Sequence, residues 1–362
     1  MSSSATRTTE NFRHLYRLTN RILDFHSLHF IPISFLFLPF TFSASAAVRF
    51  YFSSSPGTDL TTMFDPFNLF LIKTIIASSQ NLLTVKTLIT ALTFSSFVIL
   101  PTVAGVALIT YSTNQVIHCK PLTFSSTVKS LSHSYIPLLY TLLAGSIKLI
   151  SLFIVFTLLP VAVAEAIKSL GFRFGLFSFS IFINLIVSYA LAFTILFFIV
   201  IWGSAAAITV LESKSGFEAL RESANQSTEF RRHSFSIVYF TGFVVGTALS
   251  CSSFSQTFER TANWILILQV GTIYLQSSLV ILLYVVANTV LYVQNKVASG
   301  EKIAKTTVEG ELSGEDVRLV VNDEDGEVFH EPAANGAFNY MLYFTTIIWV
   351  ILLCVQFYIL SI

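Results

Sequence analysis

Twenty acidic residues, seven histidines and three cysteines are the groups with which this chain of 362 residues could do chemistry. Their spacing matches none of the familiar devices. No H-E-x-x-H, G-x-S-x-G, Walker A loop, Rossmann glycine pattern or EF-hand loop occurs. No two histidines sit at i, i+4 on an apolar run, and His118-Cys119 is a local pair only. Cys119, Cys251 and Cys354 are isolated, so neither a disulfide framework nor a zinc site is indicated. Asp323-Glu324-Asp325-Gly326-Glu327 has the composition of a calcium loop without its ligand spacing. This inventory predicts no catalytic residue, no metal and no cofactor, and the chain is read as not an enzyme.

Lys148 is the one charge deep in an apolar run, and two readings of it stay open. It could line a polar cavity and attract an anionic solute. Alternatively, because 149–164 is nearly long enough to span a membrane alone, it snorkels to the headgroups. No Asp or Glu lies inside a predicted hydrocarbon core to pair with a central ammonium, which favours snorkelling. Gly242, Gly246 and Ser250 form a small-residue ridge that admits close helix packing, within the bundle or between two copies of the chain. Asn184, Gln269, Gln276 and Asn288 read as interhelical hydrogen-bond partners.

The elements that carry these residues follow from composition. The chain is 54% hydrophobic, 11% charged and has a mean hydropathy of +0.72. Soluble domains carry about 25% charged residues, so a water-facing globule is excluded. A barrel would need ~10-residue segments of alternating polarity; these runs are continuous and longer. The expectation is an all-α integral membrane protein, a bundle of six to seven transmembrane helices with short cytosolic amphipathic helices. Spans are predicted near 29–48, 83–111, 136–164, 176–211, 234–254, 263–293 and 340–361. The domain reading is a cytosolic segment over 1–28, a six-span domain over 29–294, an acidic linker over 295–339 and a last span over 340–362.

Positive charge sets the orientation. Arg7, Arg13, Arg17 and Arg21 precede the first span; Lys120 and Lys129 lie in the second loop. Lys214, Arg221, Arg231 and Arg232 lie in the fourth; Lys296, Lys302, Lys305 and Arg318 in the sixth. The opposite side holds only Arg49, Lys73, Lys168, Arg173 and Arg260. The excess puts the N-terminus in the cytosol, in the endomembrane system or plasma membrane. Ser43-Ala44-Ser45-Ala46 looks like a signal cleavage site, but the polar segment before that span is long for a signal, so a retained span is expected. Net charge is +1, so no nucleic-acid partner is implied. The lipid bilayer, a cytosolic or membrane protein and a second copy of the chain are the partners this composition admits.

Three loops carry candidate surface helices. Arg13, Arg17 and Arg21 line one face of residues 9–26, and Phe12, Leu15, Tyr16, Thr19, Ile22 and Leu23 line another, which reads either as a basic helix on the membrane surface or as an ordinary positively flanked first span. Ser215-Gly216-Phe217-Glu218 fits a capping box, with Phe217, Leu220 and Ala224 on one face behind it. The second loop resembles the fourth, which suggests three copies of a surface helix followed by two spans. From Glu301 to Glu331 ten acids gather with few apolar residues, the signature of a disordered linker.

Two loop motifs also carry a resemblance. Lys120-Pro121-Leu122-Thr123-Phe124-Ser125-Ser126 is similar to a segment of a plant family of multi-pass membrane proteins of unknown function. So is Val210-Leu211-Glu212 through Gly216-Phe217-Glu218-Ala219-Leu220-Arg221-Glu222-Ser223. The second motif more distantly resembles bacterial membrane domains found beside glycerophosphodiester phosphodiesterases. The resemblance covers roughly 10–300 and implies a six-helix bundle with no assigned catalytic residue. The chain departs from it at Phe230-Arg231-Arg232, where Gly-Lys or Gly-Arg is usual, and over 295–362, which looks additional.

Two outcomes test this reading. Asn225-Gln226-Ser227 is the sequon of a loop placed in the cytosol, so it should stay unglycosylated. A glycosidase-sensitive mass shift removed by Asn225→Gln would invert the topology. Residues 301–335 should be cut early in limited proteolysis, since clustered acids repel and little apolar area offsets the ordering entropy. Slow amide exchange through 309–331 would contradict it.

Overall fold

In hydrocarbon a backbone can satisfy its N–H and C=O groups only within itself, so apolar runs rich in Phe and β-branched residues become helices despite weak propensity. A computed structural model of the chain is helical throughout its described elements. It describes residues 15–53, 85–118, 120, 122, 124–169, 176–255, 263–298, 338–348 and 351. Helix α1 covers 15–25, α2 Ser27–Ser34 and, after a 3-10 turn at Phe35–Phe37, α3 Leu38–Ser53. Then come α4 (Val85–Ile117), α5 (Phe124–Ser169), α6 (Leu176–Trp202), α7 (Ala205–Glu212), α8 (Phe217–Ala224), α9 (Thr228–Ser255) and α10 (Asn263–Ala298). A further helix, α11, covers 338–348.

Among the described residues, five stretches are long and apolar enough to cross a membrane: Ser27–Ser45, Thr93–Ile117, Ser125–Phe156, Tyr189–Glu212 and Leu268–Val297. The predicted seven are thus matched at five places. The segment expected at 234–254 is helical within α9, but Ser and Thr recur through it and it is not among the five. The segment expected at 340–361 is described chiefly over 338–348, and the linker over 301–335 lies outside the described residues. Ser43-Ala44-Ser45-Ala46 falls in the middle of α3.

The core joins nearly every element. Leu15, Leu23, Phe30, Phe37, Ile109, Ile208, Leu279, Leu282 and Phe338 are buried in one cluster. The most extensive packing is α9 on α10, followed by α4 on α5 and on α10. Helix α11 docks on this core through Phe338. The Asn339 backbone N–H and Nδ2 both donate to the Asp24 carboxylate, at 3.3 and 2.6 Å, and Gln276 Nε2 donates to Thr346 Oγ1 at 3.1 Å.

One break interrupts an apolar run. Between α6 and α7 the chain turns at Gly203-Ser204, which frees carbonyls that an unbroken helix would occupy. Neighbouring serines take them up. Ser234 Oγ on α9 donates to Val200 O at 3.2 Å, and Ser223 Oγ on α8 donates to Ile201 O. Gly203 lets α9 and α10 approach: a Cβ there would lie 3.0 Å from Ser234 Oγ and 3.1 Å from Asn288 Oδ1. Those two atoms already bond each other at 3.4 Å and have little freedom to move.

Gly203→Val should therefore lower stability by ~1–3 kcal/mol, the usual cost of forcing extra carbon into a packed site. The readout is thermal unfolding of the detergent-solubilised protein. An unchanged transition would mean that the break does not depend on this close contact.

Candidate functional site

The last three turns of α10 carry Asn288, Tyr292, Asn295 and Lys296, whose three- and four-residue spacing puts them on one face. That face grips the connection between α7 and α9. The Tyr292 hydroxyl donates to Glu212 Oε1, and Lys296 Nζ lies 2.9 Å from the same oxygen. Lys214 Nζ lies 2.9 Å from Glu212 Oε2 and also donates to Glu222. The other Glu222 oxygen is 3.7 Å from Lys296 Nζ. Asn295 Nδ2 donates to Gln226 Oε1, and Ser227 Oγ donates to Asn295 Oδ1 at 3.3 Å. Ser227 in turn accepts the Phe230 N–H at 3.2 Å, capping α9.

Only 5% of the Glu212 side chain and 12% of the Lys296 side chain are exposed. Two carboxylates and two ammonium groups make the cluster neutral, and the tyrosine fills a further acceptor site. Hydrogen bonding to Glu222 is the largest cause that raises Lys214 above its ordinary range, opposed by burial and reinforced by Glu212. A folded-state value above the unfolded one stabilises the fold at every pH below the unfolded value. That contribution is lost only as pH climbs through the folded value. Lys214 therefore keeps its charge, and its bonds to both carboxylates, throughout the physiological range.

Helix α8 is held by the same arrangement. Ser213 (φ 58°) and Gly216 (φ 64°) take left-handed backbone conformations that reverse the chain between α7 and α8. The capping box expected at Ser215-Gly216-Phe217-Glu218 does not form. The helix starts after Gly216 with no side-chain cap, and the Gly216 N–H is taken instead by Thr141 Oγ1 of α5 at 2.9 Å. Thr141 Oγ1 is also 3.0 Å from Thr209 Oγ1. The expected apolar face shifts as well: Ala219, Leu220 and Ser223 are buried, while Phe217 is 54% exposed beside Glu218 and Arg221. Ser223 Oγ lies 2.8 Å from Ser204 Oγ, which locks α8 to the helix break. The second loop folds differently, since α5 runs unbroken from Phe124. The likeness between the two loops therefore does not extend to a separate short helix in each.

The other residues singled out by sequence fall elsewhere. Lys148 is exposed, with its ammonium 5.6 Å from the Trp202 ring centroid and 5.4 Å from that of Phe217. Gly242 and Gly246 lie on an exposed face of α9, with no atom of the described residues within 4 Å of an added Cβ; the Ser250 side chain lies outside the described residues. Arg17 and Arg21 are exposed on α1, and Arg13 lies outside the described residues. The opposite face of α1, with Leu15, Thr19, Ile22 and Leu23, is buried in the protein. Gln276 and Asn288 find partners across or along helices, whereas the buried Gln269 amide has none among the described residues. The Asn184 side chain is not described. Among the described residues no three His, Cys, Asp or Glu side chains are grouped to hold a metal ion.

An all-helical membrane protein with an ion-pair latch at one end of its bundle is the class that this fold defines. The chain belongs to the family described as Domain of unknown function (DUF8558), whose model matches residues 19–324, so α11 lies beyond the match. No curated protein and no solved structure matches it.

The latch predicts strong coupling. Glu212→Leu or Lys296→Leu alone should cost about 3–5 kcal/mol, because each leaves the other charge buried without its main partner. The double substitution should cost clearly less than the two single costs combined. Thermal unfolding of the four proteins closes the cycle, and simple additivity would show that the pair is not coupled.

Proposed function

We propose that this chain is a non-enzymatic multi-pass membrane protein that acts as a scaffold, adaptor or membrane-organising partner. The face bearing α8 is its working surface, and that face and the N-terminus lie in the cytosol, at the endomembrane system or plasma membrane. One observation carries the reading. Helix α8 is fastened from its inner side by Ser223, Glu222 and Leu220, while Phe217, Glu218 and Arg221 face outward. A short helix fixed this firmly presents an aromatic and two opposite charges in constant geometry, which suits recognition by another protein. The fourteen positive charges on the same set of loops support the cytosolic placement. Kinship with the plant family and the bacterial membrane domains named above belongs to the same proposal.

The rival reading is a small-solute transporter or channel with Lys148 in its path. Lys148 is exposed on the outside of α5, over two aromatic rings, which supports the first reading. In liposomes the purified full chain should give no solute-dependent flux above empty vesicles across a screen of anions and small neutral solutes. In cells, Arg221→Glu should reduce a defined set of crosslinked neighbours while abundance stays unchanged. A flux that Lys148→Leu abolishes, at normal expression, would overturn the proposal in favour of the transporter.

A further inference from the structure

We propose that Lys148, held over Trp202 and Phe217, binds the phosphate of a membrane phospholipid.

Three elements build the platform beneath the ammonium. Trp202 ends α6, Phe217 begins α8, and the Trp202 ring lies against α5 at Gly145, about one turn before Lys148. Ala144, Ala205 and Leu220 are buried under it, with Trp202 packed on them. Phe198 flanks Trp202 at a centroid distance of 4.7 Å. The rings attract the cation through their quadrupoles and limit where it can reach.

The position of the platform sets which anion is available. Phe217 is followed by the exposed Glu218, with Arg221 one turn on, and such charges do not reside in hydrocarbon. The other flank is lipid-like. Exposed apolar side chains run along α5 on both sides of Lys148, with Ile136, Leu143 and Ile147 before it and Ile150, Ile154 and Leu158 after it. The sixteen or so residues from 149 to 164 rise ~24 Å as helix, most of a hydrocarbon thickness. Lys148 therefore stands where the exposed charges of α8 meet the apolar outer face of α5. An aromatic side chain with an apolar body and one wet edge, such as Trp202, is suited to the same boundary.

Among the described residues no carboxylate lies within ion-pair distance of Lys148, and the contacts it makes are with the two rings. Lys214 and Lys296, by contrast, are fully engaged with Glu212 and Glu222. At a boundary, facing outward, the anion within reach of Lys148 is the phosphodiester or phosphomonoester of a headgroup. A lysine, as a compact point charge, takes either without needing a bidentate fit.

The test compares full-length protein in neutral-detergent micelles supplemented with phosphatidic acid or with a neutral diacylglycerol, with retained lipid counted by native mass spectrometry. Lys148→Gln should retain phosphatidic acid roughly fivefold less than wild type, the ratio that losing one headgroup–lysine attraction of ~1 kcal/mol gives. Lys148→Arg should retain it, and Lys129→Gln, which removes an exposed charge elsewhere on α5, should not change it. If Lys148→Gln fails to fold, acetylation of Lys148 in the wild-type protein replaces it as readout: phosphatidic acid should slow the reaction, and diacylglycerol should not. Equal retention in Lys148→Gln, or unchanged acetylation, overturns the site. Protection by millimolar inorganic phosphate equal to that by phosphatidic acid would assign the site to a soluble phosphate and overturn the lipid.

Discussion

A nearly buried carboxylate at the end of an apolar span is the constraint from which the rest of this molecule follows. Glu212 closes the run Tyr189–Glu212 with almost none of its side chain in solvent. An uncompensated charge there would cost several kcal/mol. Compensation needs donors from outside its own helix, and they come from the one face of α10 that carries Tyr292 and Lys296, and from Lys214 just beyond. Once those partners are fixed, α10 must reach this level and α8 must fold back against it. The ion pairs thus set the register of helices whose apolar contacts alone would tolerate sliding. This role in specifying one arrangement is distinct from any net gain in stability, which for buried pairs is often small.

The break at Gly203-Ser204 is the second half of the same solution. A straight helix through 176–212 would carry Glu212 along the axis of α6. Turning at 203 sends α7 across α4 and α5, where Ile208 and Leu211 enter the core. The freed carbonyls would be intolerable in lipid, and two serines absorb them. One of these, Ser223, belongs to α8, and the other, Ser234, touches Asn288 on α10. Backbone repair therefore draws on α8 and α9 and charge compensation on α10, with Asn288 joining the two through Ser234.

This division explains what could be read from sequence. Helices were legible because lipid leaves the backbone no alternative, and α8 was legible from the Ser215 to Glu218 spacing and the apolar residues Phe217, Leu220 and Ala224 behind it. Its cap was not, because the Gly216 N–H is satisfied by Thr141, a residue on a different helix. The latch was missed for the same reason. Glu212 looked like the first residue past a span, and Lys296 like one more positive charge at a loop edge. A local signal did exist: Asn288, Tyr292 and Lys296 recur every four residues along the last turns of α10, which marks a polar stripe seeking partners. The ridge at Gly242 and Gly246 was visible as a stripe of small residues. Composition alone did not tell which way it faces, and it faces outward.

Lys148 and Glu212 show how burial separates two charges at one end of a bundle. Both sit near α8, within the reach of its first and sixth residues, Phe217 and Glu222. Glu212 faces inward, where the medium responds weakly, so it must be matched by fixed partners at defined distances. Lys148 faces outward, where a flexible stem, two aromatic faces and a responsive boundary replace fixed partners. The first arrangement makes α8 rigid. The second leaves a cation on the rigid helix's margin that can exchange what it touches. Because Phe217 forms part of the platform and Glu222 part of the latch, a change that loosened the latch would also move the ring beneath Lys148. The inner charges thus hold the geometry that the outer one depends on.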